Sequence, residues 1–312
     1  MKKLLVSLAF GATSFLYANI NAVVSILPQQ TFLEKIGGDK VNITLMVQPG
    51  DSPHSYEPKP SQMKDISKAD IYFSLGVEFE NVWLEKFTNQ NKSMIVRSMS
   101  DNITRIAMMK HSHGEEEHGH DDHGHDDHDH DHHAHHDHDE HDHDDHDEHH
   151  HEGNKDPHIW TTPSNVKVMA QNIYNILSLM DRENEAYYKK NLAAFLKEIE
   201  DTDKTIKKLL ANIPTHSKFM VFHPAWGYFA KEYHLEQIAI ESGGKNPKPK
   251  QIAHLIEEAK EEKVRAVFTA PEFSTKVAEQ IAKEVGIPVV KMSPLDPKWS
   301  ENMIKLAKSI AQ

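Results

Sequence analysis

Residues 111–151 cannot join a packed core, and that divides the chain. They hold 19 of its 25 histidines and 17 acidic residues, with no lysine or arginine. The remainder is three glycines, one serine and one alanine. Nothing there buries enough apolar surface to offset the entropy of ordering the backbone. The stretch reads as a disordered insertion, so the fold must be assembled from the segments on either side. It also accounts for the formal net charge of −13: without it, 35 basic residues face 31 acidic ones (48 minus 17), a net of +4. The folded part therefore has no strong basic field, and nucleic acid is not expected as a partner.

The first residues read as an address. Lys2 and Lys3 precede an apolar run, residues 4–17, interrupted only by Ser7, Gly11, Thr13 and Ser14. Ala18 supplies a small residue at the cut, so residues 1–18 are expected to be a cleavable signal peptide leading to the periplasm. The run is short for a spanning helix. The chain has no cysteine. That excludes disulfides, thiolate ligands and lipid attachment through an N-terminal cysteine, so a metal site must come from His, Asp and Glu.

On both sides of the insertion, short apolar runs alternate with helical periodicity. Strands are expected at 22–27, 41–47, 70–75 and 93–96, with helices at 29–36, 66–69 and 78–87 and a proline-rich loop at 48–60. Beyond the insertion, Thr162 and Pro163 begin a helix that runs to about Met180. Strands then follow at 218–222, 235–240, 264–269 and 288–292. They alternate with helices at 225–233, 249–262, 274–285 and 301–311. This rhythm predicts an α/β fold of two lobes, each with a mainly parallel central sheet. Between them, residues 183–212 place Leu192, Phe195, Leu196, Ile199, Ile206 and Leu209 at helical spacings. Thirty helical residues span about 45 Å, which suits either a strut between lobes or an amphipathic helix on one of them. The expected divisions are 19–181 for the first lobe including the insertion at 111–151, 182–212 for the linking helix, and 213–312 for the second lobe. No sequence repeat relates the lobes.

Three of the six histidines outside the insertion share a setting. His54 follows Asp51-Ser52-Pro53 beyond a strand. His158 lies in Asp156-Pro157-His158, just before a capped helix. His223 directly follows a strand and precedes Pro224. Ligands of open α/β sheets bind beyond the carboxyl ends of strands, so a cleft between lobes would gather these residues. Three imidazoles suit Zn²⁺ and leave one tetrahedral position, for which Asp296, Glu272 and water compete. His216, His234 and His254 lack the setting and are expected to be ordinary side chains. No HExxH, GxSxG or P-loop motif points to catalysis.

These residues resemble a known family: the periplasmic zinc-binding component of bacterial ABC importers, the ZnuA type in the metal-binding cluster of solute-binding proteins. The likeness covers nearly all of the chain after residue 18. It is carried by PGDSPHSYEPKPS (49–61), DPHIWTTP (156–163), VFHPAWGYF (221–229), SPLDP (293–297) and the His/Asp-rich insertion. It implies that His54, His158 and His223 are zinc ligands and that Asp296 occupies the carboxylate position of the last ligand loop. It implies two lobes joined by one long helix, with the metal in the inter-lobe cleft. The expected function is non-enzymatic, high-affinity capture of Zn²⁺ by a monomer, with delivery to an inner-membrane ABC permease. Manganese importers of the family place a carboxylate where His223 stands, and three imidazoles favour zinc over Mn²⁺. Three departures stand out. Pro53 replaces a Glu found before the first ligand His, Ala270 replaces a Glu found before the matching proline, and no C-terminal disulfide can form. The insertion is expected to capture or buffer zinc near the cleft. The rival reading is a periplasmic storage or chaperone protein whose main site is the insertion.

Overall fold

The computed structural model describes residues 19–108, 155–241 and 245–312. The expected signal peptide and the insertion at 111–151 lie outside the described residues. Among the described residues no helix is long and apolar enough to cross a membrane.

The first sheet is built from β1 (Ile20–Val24), β2 (Val41–Leu45), β3 (Ile71–Ser74) and β4 (Ile95–Ser98), all parallel in the order β2-β1-β3-β4. The helices α1 (Leu27–Gly37), α2 (Pro60–Ile66) and α3 (Glu78–Gln90) connect these strands, and α4 (Pro163–Met180) follows the insertion. The second sheet comprises β5 (Lys218–Val221), β6 (Glu236–Ala239), β7 (Val267–Thr269) and β8 (Val289–Lys291), again all parallel, in the order β6-β5-β7-β8. Its helices are α6 (Gly227–Glu232), α7 (Pro249–Glu261), α8 (Lys276–Val285) and α9 (Trp299–Ala311). The two sheets therefore repeat one winding order, although no sequence repeat announces it. The expected α/β architecture with two parallel sheets is what the structure has.

Between the lobes runs α5 (Glu185–Leu210), 26 residues and about 39 Å long at 1.5 Å per residue. Tyr188, Leu192, Phe195, Ile199, Thr202, Ile206 and Leu210 form its buried stripe, spaced by three or four residues. The stripe packs against α1 and α4 of the first lobe and α9 of the second. Glu198 ties both sides to it: one oxygen lies 2.6 Å from Lys35 Nζ on α1, and the other accepts the Ser300 hydroxyl on α9 at 2.7 Å. The strut reading of this segment is the one the structure supports.

One helix lies elsewhere than expected. The helix expected at 66–69 is α2, at Pro60–Ile66. Pro60 opens it with a preset φ instead of closing the preceding loop. Gln62 supplies the cap, its Oε1 accepting the Lys59 backbone N–H at 2.9 Å. Helical spacing is hard to see in so short an element, and the prolines at 53, 58 and 60 read as loop.

Candidate metal centre

The carboxyl ends of the strands in both sheets face one cleft. In the first lobe, β2 leads into the loop that carries His54, and β3 leads through a tight turn into α3. Gly76 in that turn has φ of 79°, a left-handed conformation that glycine adopts without steric cost. Buried Glu80 fixes the turn, accepting the backbone N–H groups of Leu75 at 2.9 Å and Gly76 at 2.6 Å together with the Ser25 hydroxyl. Burial pushes its carboxyl pKa up against these bonds. The turn places Glu78, in the first turn of α3, against His54 Nδ1.

His158 is held by Asp156. One oxygen of that carboxylate accepts both the His158 backbone N–H at 2.9 Å and its Nδ1–H at 2.8 Å. The Asp156 backbone is fixed in turn, donating to Ile106 at 2.9 Å and accepting Tyr228 Oη–H at 2.8 Å. Its other oxygen packs on Gly227, where an added Cβ would lie 2.8 Å from it.

In the second lobe, register explains the third histidine. Val221 of β5 is paired with Ala239 of β6, so the residues two beyond each, His223 and Glu241, emerge side by side. Glu241 is buried and lies 2.7 Å from His223 Nδ1. Phe273 stacks on the His223 ring with centroids 4.7 Å apart and planes at 20°.

Each of the three imidazoles thus has its Nδ1 against a carboxylate. That fixes the tautomer with the proton on Nδ1 and leaves the Nε2 lone pair free, the arrangement typical of metal-ligating histidine. The Nε2 atoms of His158 and His223 lie 3.2 Å apart. The His54 ring centroid is 5.1 Å from that of His223, and the His158 centroid is 5.0 Å from it. Among the described residues no set of three or more His, Asp or Glu already closes as a cage on one point. His158 and His223 form a ready pair, with His54 beside it. Side-chain exposure falls from 34% at His54 to 9% at His223 and 6% at His158. Burial, reinforced by the neighbouring imidazoles, holds His54 down to about 4. Burial also lowers His223, against the pull of Glu241.

Pro53, Trp160, Glu272, Phe273, Pro294 and Leu295 complete the walls. The free space for a water-sized sphere is about 20 Å³, room for a single ion or water and not for an organic solute. Glu272, one of the three candidates for the fourth position, lines this space. Asp296 does not: its Oδ1 accepts the Lys298 backbone N–H at 2.8 Å, at the head of α9. Asp bonds readily to the backbone two residues on, and here that local bond directs the carboxylate. His216, His234 and His254 are not among the walls. Of the tryptophans near the motifs, Trp160 lines the pocket and donates Nε1–H to the Pro294 carbonyl at 2.8 Å, bridging the lobes. Trp226 and Trp299 belong to the core.

Sequence reasoning missed Glu78, Asp156 and Glu241 as partners of the histidines, Asp156 figuring only as part of the motif around His158. A signal existed for Glu241, which sits just beyond a strand end as His223 does. For Glu78 there was none, since an exposed glutamate at a helix start usually serves the helix dipole.

Two parallel-sheet lobes on one spanning helix, with an ion-sized, imidazole-lined pocket between them, define a solute-binding protein for a small cation. The chain belongs to the ZnuA family: the model described as "Zinc-uptake complex component A periplasmic" matches residues 22–312. Proteins of this family are substrate-binding components of ABC importers and not enzymes. The high-affinity zinc uptake system protein ZnuA of Bacillus subtilis (strain 168) is 29% identical over 291 residues, 92% of this chain and 82% of that protein. The manganese ABC transporter substrate-binding lipoprotein scaA of Streptococcus gordonii is 28% identical over 285 residues, covering 87% and 77%. A crystal structure of ZnuA superposes with a TM-score of 0.76 and 36% identity, covering 94% of this chain and 98% of that one.

Proposed function

We propose that this protein captures one Zn²⁺ in the inter-lobe cleft through His54, His158 and His223 and delivers it to the inner-membrane permease of an ABC importer, acting as a periplasmic monomer. One observation carries the reading. His158 and His223 direct two Nε2 lone pairs at each other across 3.2 Å while their Nδ1 atoms are committed to Asp156 and Glu241. Two such lone pairs repel unless a cation lies between them. Tetrahedral Zn–N bonds of about 2.0–2.1 Å separate two ligand nitrogens by about 3.3 Å, close to the spacing seen. The family's zinc and manganese members leave metal identity to the donor set. Three imidazoles favour zinc, whereas carboxylate-rich sites suit manganese. His54, the most exposed of the three, closes the cage as the ion loads.

Chelator-buffered zinc titration of the full chain tests this. One tight equivalent is expected, insensitive to equimolar Mn²⁺. The same equivalent is expected after deletion of 111–151, because the three proposed ligands lie outside that segment. His54→Ala, His158→Ala and His223→Ala should each weaken binding at least a hundredfold. Undiminished tight binding in all three, or its loss on deleting 111–151, would overturn the assignment, the latter in favour of storage by the insertion.

A further inference from the structure

We infer that Glu272, and not Asp296, is the fourth donor to the ion and thereby a specificity-determining residue of the cleft, an assignment that rests on the three-histidine reading. Glu272 belongs to the turn between β7 and α8, which is closed by the Phe273 backbone N–H bonding to the Ala270 carbonyl at 3.1 Å. That turn delivers two side chains to the pocket: Phe273 against His223, and Glu272 beside it.

The two oxygens of Glu272 are treated differently. Oε1 accepts the Ser293 hydroxyl at 2.6 Å. Ser293 Oγ is itself fixed, accepting the Leu295 backbone N–H at 2.9 Å. Oε2 is buried and has no hydrogen-bond partner. Among the described residues, the other buried side-chain oxygens in that state are hydroxyls, those of Ser178 and Thr269, and neither lines this pocket. Burying a carboxylate oxygen with nothing to bond is costly unless a cation answers it. Glu272 is also one of the residues that line the same small space as the three histidines. Ser293 does for Glu272 what the three carboxylates do for the histidines: it engages one atom and leaves the other for the ion. Asp296 commits Oδ1 to the Lys298 backbone, and neither does it line this space nor is its other oxygen buried without a partner.

A filled fourth position has two consequences. The tetrahedral shell closes without a metal-bound water, which removes the nucleophile a zinc hydrolase requires. One carboxylate also offsets half of the ion's charge in a pocket whose imidazoles offset none. The test is zinc affinity of the full chain at buffered free zinc low enough to fill only the tightest site, for Glu272→Gln, Asp296→Asn and His158→Ala, with metal-free melting curves to confirm folding. Glu272→Gln should weaken zinc at least tenfold and Asp296→Asn less than twofold. A crystal structure of the zinc-loaded protein should place a Glu272 oxygen about 2.0–2.2 Å from the ion. Glu272→Gln within twofold of the parent, with His158→Ala still abolishing binding, overturns the Glu272 assignment alone. A shell completed by Asp296 or water does the same. Undiminished binding in His158→Ala overturns the three-histidine site, and this assignment with it.

Discussion

The two lobes wind their sheets in the same order yet hold their histidines differently. In the first, His54 sits on an exposed, proline-rich loop and leans on Glu78, itself half exposed. In the second, His223 emerges directly from a strand against buried Glu241 and under the Phe273 ring. The cores differ as well. One face of the second sheet, with Phe219 and Val221, joins a continuous core with the first lobe and the long helix. The other face, with Met220, Phe222 and Ile238, packs on α7 and α8 as a separate cluster. The rigid part of the site thus comprises His223, which grows from a sheet packed on both faces, and buried His158, which the first lobe supplies just ahead of α4; the exposed part is His54 on its loop. On the proposed three-histidine reading, the fixed donors would set which ion is accepted and the exposed one would admit and release it.

If the division is real, the orienting carboxylates should be unequal. Glu241→Gln should weaken zinc binding about 10- to 100-fold, the usual cost of losing a buried partner of a metal-bound histidine. Glu78→Gln should cost only about threefold, because solvent screens an exposed pair. Equal losses in a chelator competition would erase the distinction between the lobes.

A second lever acts on the other fixed donor. Gly227→Ala puts a methyl group 2.8 Å from an Asp156 oxygen, and Asp156 is what orients His158. The substitution should destabilise the metal-free protein by about 1–3 kcal/mol through overpacking and weaken zinc about tenfold. Calorimetry and the same competition assay read the two effects. An unchanged zinc affinity would show that His158 does not depend on that carboxylate.

The smallest effect is on pH. His54 and His223 both have folded pKa values below the unfolded reference near 6.5. Between those values the unfolded chain binds more protons than the folded one, so stability rises with pH there. The metal-free protein should therefore be fully stabilised above about pH 6.5 and lose stability as pH falls towards about 4. His54→Gln and His223→Gln should each flatten the dependence of melting temperature on pH, because each removes a group whose folded pKa lies below the unfolded one. An unflattened profile in both variants would show that neither imidazole is held neutral by the fold.

Periodicity was enough for most of the fold. The buried stripe of α5 lies in the spacing of Leu192, Phe195, Ile199 and Ile206, and the strands of both sheets stand out as short apolar runs between helical ones. It failed at α2, where prolines mask a short capped helix. The candidate histidines were legible because Pro53, Pro157 and Pro224 flank them at expected strand ends and ahead of a capped helix. Their electrostatic partners were not. Glu241 meets His223 through the β5–β6 register, and Glu78 meets His54 across 24 positions of chain.

The sequence by itself determined which side chains are chemically able to hold a metal here, because without cysteine only His, Asp and Glu remain, and local backbone signals place His54, His158 and His223 at element ends. Only the tertiary structure decided which way each group faces. Asp296 and Glu272 are equivalent candidates in the sequence: each is a carboxylate next to a proline, just after a strand. Folding directs one onto a backbone N–H two residues away and sets the other in the pocket wall with one buried oxygen unanswered. That choice depends on side-chain direction and on neighbours distant in the chain, which no local pattern encodes.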